Sequence, residues 1–532
     1  MLVPIRNMGD VGVVTDSPPY SLPPNAVTGG KNVMFRDGRA MKALGNKLIT
    51  YFTAGGAASW FETWQPSAGT YKQAIAFADG TIQVWDGTAA SSPTIQDQGG
   101  GATTLSASDA WQSTVFGKFC VLNNKANIPV YSWNSGTSLP DGSVFRMIPG
   151  WGAANSPSGA VKAVRAHKNF LVAGGVAAAP YTVYWSDAAT TDSFPQSWDY
   201  SSTTNLAGFV DVSTADGPIV DIQELMDYMV VYTEKATYAL QYVDGTDVFA
   251  LRKLFGSGII NRECAVQFQG RHLCVSGNKI FVHDGVNIEY PAERRVEQQF
   301  FSEASRASRI LTAVSVDRSE VWIYYTSGAT DQACNRALIF NYVANTWQFI
   351  DLPGYCKIAP SNRIYAAPTI GSLTGSIGDL TGTIGDWLTT GARQELTGLC
   401  GTGAAVDTGL YTLNTTWRVG ANAYHAYIER TGIDLDEIRN QSTTSTHIRS
   451  ITPQIVGSST VDVQVGSQRS PGDGVSWGDI KTLDLANGAK YKIDTRKTGR
   501  YLAYRIGTWT GTARTGGWEL AGMDIDVMDG GR

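Results

Sequence analysis

Five histidines, His167, His272, His283, His425 and His447, are the first residues to weigh for chemistry in this 532-residue chain. A zinc centre needs imidazoles spaced as in HxH or HExxH, and none of the five is so placed. Each is expected to be a surface or core histidine. No Gly-Lys pair precedes Ser or Thr in a phosphate-cradling loop. The six cysteines (Cys120, Cys264, Cys274, Cys334, Cys356, Cys400) are scattered without a CxxC, which predicts buried thiols rather than a disulfide framework. Asp and Glu total 47, so carboxylate pairs suited to glycoside hydrolysis stay open. Asp524, Asp526 and Asp529 suggest calcium, but the first two alternate with apolar residues and are expected on a solvated strand face. The expectation is a chain without catalytic, cofactor or metal site, and not an enzyme.

The elements that would position any such residue are strands. A short phrase returns every forty to fifty-odd residues: IQVWDGT from Ile82, VYSWNSGT from Val130, VYWSD from Val183, TYALQYVDGT from Thr237, IFVHDGVN from Ile280, VWIYYTSG from Val321 and IYAAP from Ile364. Most copies run from apolar, β-branched or aromatic residues into a polar or Gly turn. A period of roughly 47 residues fits one four-stranded sheet and points to a β-propeller of about six or seven blades. SVDRSEVW, from Ser315 to Trp322, approximates the Asp-box of sialidase-like propellers, with Ser319 where glycine usually stands, and is read as a hairpin. One helix is expected from Pro291, where Val296, Phe300 and Ala304 recur four apart.

Composition agrees. The chain is 43% hydrophobic and only 17% charged, with 58 Gly, 15 Trp, 23 Tyr and 18 Phe, which suits a turn-rich all-β protein. Net charge is −5 and no basic run is longer than Arg294-Arg295, so tight binding to nucleic acid phosphate is not expected. The opening MLVPIRNMGDVGVVTD lacks the apolar core of a secretion signal, and no stretch is apolar for long enough to predict a membrane span.

Four regions follow. Residues 1–50 hold prolines and then the hairpin NVMFRDGRAMK, with Phe35, Arg36, Asp37 and Gly38 at its tip. Residues 51–368 carry the repeat. Residues 369–410 include the tandem heptads LTGSIGD and LTGTIGD followed by Trp387, too Gly-rich for a helix. In residues 411–532, Val461, Val463 and Val465 alternate with Asp462 and Gln464, and Leu502, Tyr504 and Ile506 share a face. Such alternation, with the polar face that holds Asp462 and Gln464 exposed, predicts an antiparallel β-sandwich.

Three of these segments together resemble a known family. DSPPYSLPPNAVTGGKNVMFRDGRAMKALGN (Asp16 to Asn46) is similar to the start of the tail nozzle proteins of short-tailed bacteriophages, also called tail tubular protein B-like. These relate more loosely to packaged-DNA stabilisation hubs. LTGSIGD–LTGTIGDW resembles the repeats that often precede their last domain. VDVQVGSQRSPGDGVSWGDI, TRKTGRYLAYRIG and GWELAGMDIDVMDGGR resemble its closing sandwich.

The resemblance implies a virion tail component, assembled in the host cytoplasm as a homo-hexameric ring. That ring would dock below the portal and adaptor (the head-to-tail connector), neighbour tail fibre or spike proteins, retain the genome and conduct DNA on ejection. Asp379, Asp386 and Trp387 become candidates for a channel-lining loop, and Phe35, Arg36, Asp37 and Gly38 for a docking hairpin. The alternative is a carbohydrate-binding or polysaccharide-degrading propeller, a receptor-binding protein or depolymerase, for which the 15 Trp would supply stacking surfaces.

Overall fold

The computed structural model describes residues 2–52, 56–134, 139–190, 192–243, 248–305, 309–328, 333–364, 392–400, 408–419, 422–434, 445–470, 472–486 and 492–529. Almost every element is a strand, and nearly all pairings are antiparallel. Among the described residues no helix is long and apolar enough to cross a membrane. The chain forms two compact units, and neither is one continuous stretch. One comprises Met1–Thr50, Ser257–Cys356 and Ala404–Arg532, and the other Tyr51–Gly256 and Lys357–Gly403.

The second unit holds four consecutive sheets. The first is Ala58–Ser67, Thr70–Phe77, Ile82–Trp85 and Ala90–Ser91. The second runs Gln112–Phe116, Phe119–Asn123, Val130–Ser132 and Val144–Met147, with Thr94–Gln96 added in parallel at its edge. The third is Val161–His167, Phe170–Val176, Ala179–Trp185 and Gly208–Asp211. Ile219–Leu225, Tyr228–Thr233, Thr237–Tyr242 and Phe249–Phe255 make the fourth.

Burial explains their composition. In the second sheet Cys120 and Leu122 join a core with Trp60, Trp64 and Ile82 of the first, while Phe119 and Val121 join one with Leu171 and Ala173 of the third. Phe170 and Val172 then face Ile222, Met229 and Leu240 of the fourth. A sheet covered on both faces has apolar side chains at odd and even positions alike, so period two vanishes and FLVAGGV is buried throughout.

The repeated phrase has a definite place. Its first four copies are the third strands of these four meanders, and the fifth, Ile280–His283, is third in a sheet with Ala265–Phe268, Arg271–Val275 and Ile288–Glu289 in the other unit. The copy at Val321 departs from the rule: Glu320–Tyr325 is a second strand, hairpinned to Ile310–Ser315 through the Ser315–Trp322 segment and paired on its other side with Cys334–Asn341. The turn after the phrase has a chemical cause. Asp86 Oδ1 accepts from the backbone N–H groups of Thr88 and Ala89, and Asp284 Oδ1 from Val286 and Asn287. The following Gly87 and Gly285 take φ of 98° and 91°, which a side chain resists.

In the first unit the chain's two ends interleave. One large sheet orders Val33–Arg36, Arg39–Lys42, Trp518–Asp529, Thr446–Gly457 and Ile493–Gly499, with Leu2–Arg6 also paired to Trp518–Asp529. The other orders Gly29–Lys31, Ala426–Asp434, Tyr501–Thr508, Thr460–Gln468 and Ser476–Trp477, with Lys481–Asp484 beside Thr460–Gln468. Arg430, fully buried, donates to the carbonyls of Leu22, Pro23 and Thr431, anchoring the proline-rich segment on its strand.

Three expectations need correction. The helix spans Glu297–Glu303 and starts past Pro291, because Arg294 takes φ of 59° and breaks the first turn. Asp16 accepts from the N–H groups of Gln298 and Gln299 and caps it. Asp462 is not on a solvated face: it is fully buried and accepts from Thr482, Thr510 and Arg514. Asp524 and Asp526 are ion-paired with Arg6 and Arg449 rather than merely hydrated.

Candidate functional site

Asp379, Asp386 and Trp387 lie outside the described residues. The hairpin is described, and much of it faces inward. Asp37 and Gly38 form the tight turn with φ of 49° and 72°. Phe35 is 1% exposed, and its backbone N–H donates to Gln348 Oε1 at 3.1 Å. Arg36 donates to Arg318 O at 2.7 Å and to Glu320 Oε1 at 3.1 Å. Burial raises the Glu320 carboxyl pKa, and the guanidinium groups of Arg36 and Arg318 pull it back down. The surface the hairpin leaves for a partner is the turn at Asp37 and Gly38 with the flanking Arg39.

A larger polar assembly stands on the first strands of the four consecutive sheets, which lie against one another in order. Asp221, on Ile219–Leu225, is wholly buried. Its carboxylate accepts from Gln112 Nε2 at 3.0 Å, Gln223 Nε2 at 2.9 Å and the backbone N–H of Ile222 at 2.8 Å. The guanidinium of Arg165, on Val161–His167, donates to it at 3.2 and 3.3 Å, and also to Ile222 O and Ser113 O. Gln112 Oε1 in turn accepts from the backbone of Val164. One ion pair thus ties three sheets.

The same line continues into the first sheet. Ser113 donates to Glu62 Oε2 at 2.5 Å and accepts from Trp60 Nε1 at 2.7 Å. Lys357 places its ammonium 3.7 Å from the centroid of the Trp60 ring. Gln73 donates to Ser361 at 2.8 Å. Every carboxylate here already accepts strong bonds, so the arrangement stiffens a wall rather than presenting a base or nucleophile. Sequence reasoning passed over Gln112, Arg165 and Asp221, although each is a polar residue in a run that two-sided burial makes apolar.

Three of the five histidines lie in the interior, while His447 lines a surface cleft. His167, His272 and His283 are buried. His272 and His283 face each other across paired strands with ring centroids 5.5 Å apart. Burial lowers the His283 pKa to about 4, so it is neutral near pH 7. His167 is also lowered by burial, while Glu224, 3.3 Å away, opposes the shift. All six cysteines are buried, and burial raises the Cys120 and Cys334 thiols.

No family model matches the chain, and no curated protein matches it. Solved structures do resemble it. A chain of the mitotic checkpoint complex aligns over 70% of this chain and 93% of its own, with 8% identity and a TM-score of 0.38. Raptor of Chaetomium thermophilum aligns over 70% of this chain and 29% of its own, with 10% identity and a TM-score of 0.40. Likenesses of that size carry no argument about what this chain does.

Proposed function

We propose that the chain is a non-enzymatic component of a short-tailed phage tail, a nozzle subunit that assembles as a homo-hexamer below the adaptor and conducts DNA. In this reading the consecutive small sheets are blades of a six- to seven-bladed propeller, and the two large sheets form the closing sandwich. The observation that carries the reading is the interleaving of the chain's ends. The phrases that resemble nozzle proteins lie near 16–46, 461–480, 495–507 and 517–532; the first is more than four hundred residues from the others, yet Arg39–Lys42 pairs with Trp518–Asp529, and Thr460–Gln468 pairs with Tyr501–Thr508, in one compact unit. A shared body is what an inherited docking module requires.

Charge is consistent with passing DNA without gripping it. Six copies at −5 carry roughly −30, a field that repels phosphate wherever acids face a lumen. The test is sedimentation of the purified chain with and without a phage adaptor ring. The reading expects one larger species containing both; a chain that stays monomeric and separate beside the adaptor would end it.

A further inference from the structure

The edges of the two large sheets part around a cleft of about 750 Å³, within the range that encloses small ligands. Beneath it Val463, Val465 and Ile493 are buried, and the surface it exposes is mostly polar. Its rim is cationic, with Arg449, Lys481, Lys492, Arg496 and Lys497 against two carboxylates, Asp479 and Asp494. That is a local excess of positive charge on a chain of net charge −5.

Some of these charges are occupied. Arg449 is paired with Asp526, Lys492 with Asp494 at 3.2 Å, and Lys497 donates to Ser476 and to the carbonyl of Trp477. Lys481 and Arg496 are exposed and have no ion-pair partner among the described residues. Trp477 is half-buried in the wall, with the Arg505 guanidinium 5.1 Å from its ring.

We propose that this cleft binds an acidic saccharide of the uronate class. Free Lys481 and Arg496 match the sugar carboxylates. The half-buried Trp477 matches the apolar face of a sugar ring. Asp479 decides between polyanions. A carboxylate on the rim accepts from sugar hydroxyls, whereas a DNA backbone offers it no hydroxyl donor and repels it. The inference stands independently of the nozzle reading, since it concerns one cleft of the closing sheets and no assembly.

The test is calorimetric titration of the full chain with hexamers of galacturonate, mannuronate and hyaluronate, with maltohexaose and a dT12 oligonucleotide as controls. At least one uronate hexamer is expected to bind, and more tightly than either control. Lys481→Ala with Arg496→Ala should weaken it at least tenfold; both side chains are exposed, so folding is spared. Asp479→Asn should weaken the saccharide yet tighten dT12. Tighter binding of dT12 to the unaltered chain, binding unchanged by the double variant, or no uronate binding at millimolar concentration would each overturn the proposal.

Discussion

Replacing Asp221 by Asn probes the wall of first strands at its most constrained point. The native carboxylate takes bonds from Gln112, Gln223, Ile222 and Arg165, and its residue has no exposed surface. An Asn there keeps the shape but turns an NH₂ group toward donors and leaves the Arg165 guanidinium, 13% exposed, without its counter-charge. Breaking one side of a buried pair costs about 3–5 kcal/mol. At about 2–4 °C per kcal/mol for a unit of this size, the melting transition should fall by about 10 °C.

The assay is scanning calorimetry of the full chain, with tryptophan fluorescence reporting on cores that hold Trp60, Trp111 and Trp185. Arg165→Met combined with Asp221→Leu removes both charges and should recover part of the loss: no charge is left buried, although the Ile222 N–H, Gln112 and the carbonyls of Ile222 and Ser113 still lose partners. A single variant that loses less than about 1 kcal/mol would refute the tie between sheets, since exposed pairs alone reach that value. A double variant as unstable as the single would refute the charge argument.

Two further outcomes follow from the first unit. Lys42 is fully buried, with its ammonium held by the carbonyls of Arg514 and Gly516 and 4.4 Å from the Tyr424 ring centroid; desolvation lowers its pKa to about 8. The unfolded chain therefore binds this proton more tightly, the penalty is complete below pH 8, and it fades as pH rises toward 10.5. Relative to Lys42→Met, the native chain should gain up to about 3 kcal/mol between pH 7.5 and 10.5, read by denaturant titration at each pH; a constant difference would contradict it. Gly432 takes φ of 69°, and a Cβ there would lie 2.8 Å from Pro19 Cβ. Gly432→Ala should cost about 1–3 kcal/mol and speed proteolysis in residues 17–25, whereas unchanged cleavage would show that the contact is dispensable.

Much of the fold was legible because its signals are local. Five of the seven copies of the repeated phrase mark third strands, since an apolar run followed by a turn, as at Asp86-Gly87 and Asp284-Gly285, encodes strand and turn within a few residues. Partners distant in sequence left no such mark. Nothing in NVMFRDGRAMK says that Arg39–Lys42 pairs with Trp518–Asp529, nor that Phe35 is buried, because pairing is set by the final packing. Asp462 was misread for a related reason: period two identifies the other face of a strand but not what covers it, and here Arg514 and Thr510 do. The Arg165–Asp221 tie spans 56 residues and needs three sheets in place before it exists.

Electron microscopy of the chain mixed with a phage adaptor tests the central claim most directly. The account predicts a six-fold ring coaxial with the adaptor and open along its axis. Single copies scattered on the grid, or bound to the adaptor's flank without a ring, would contradict it.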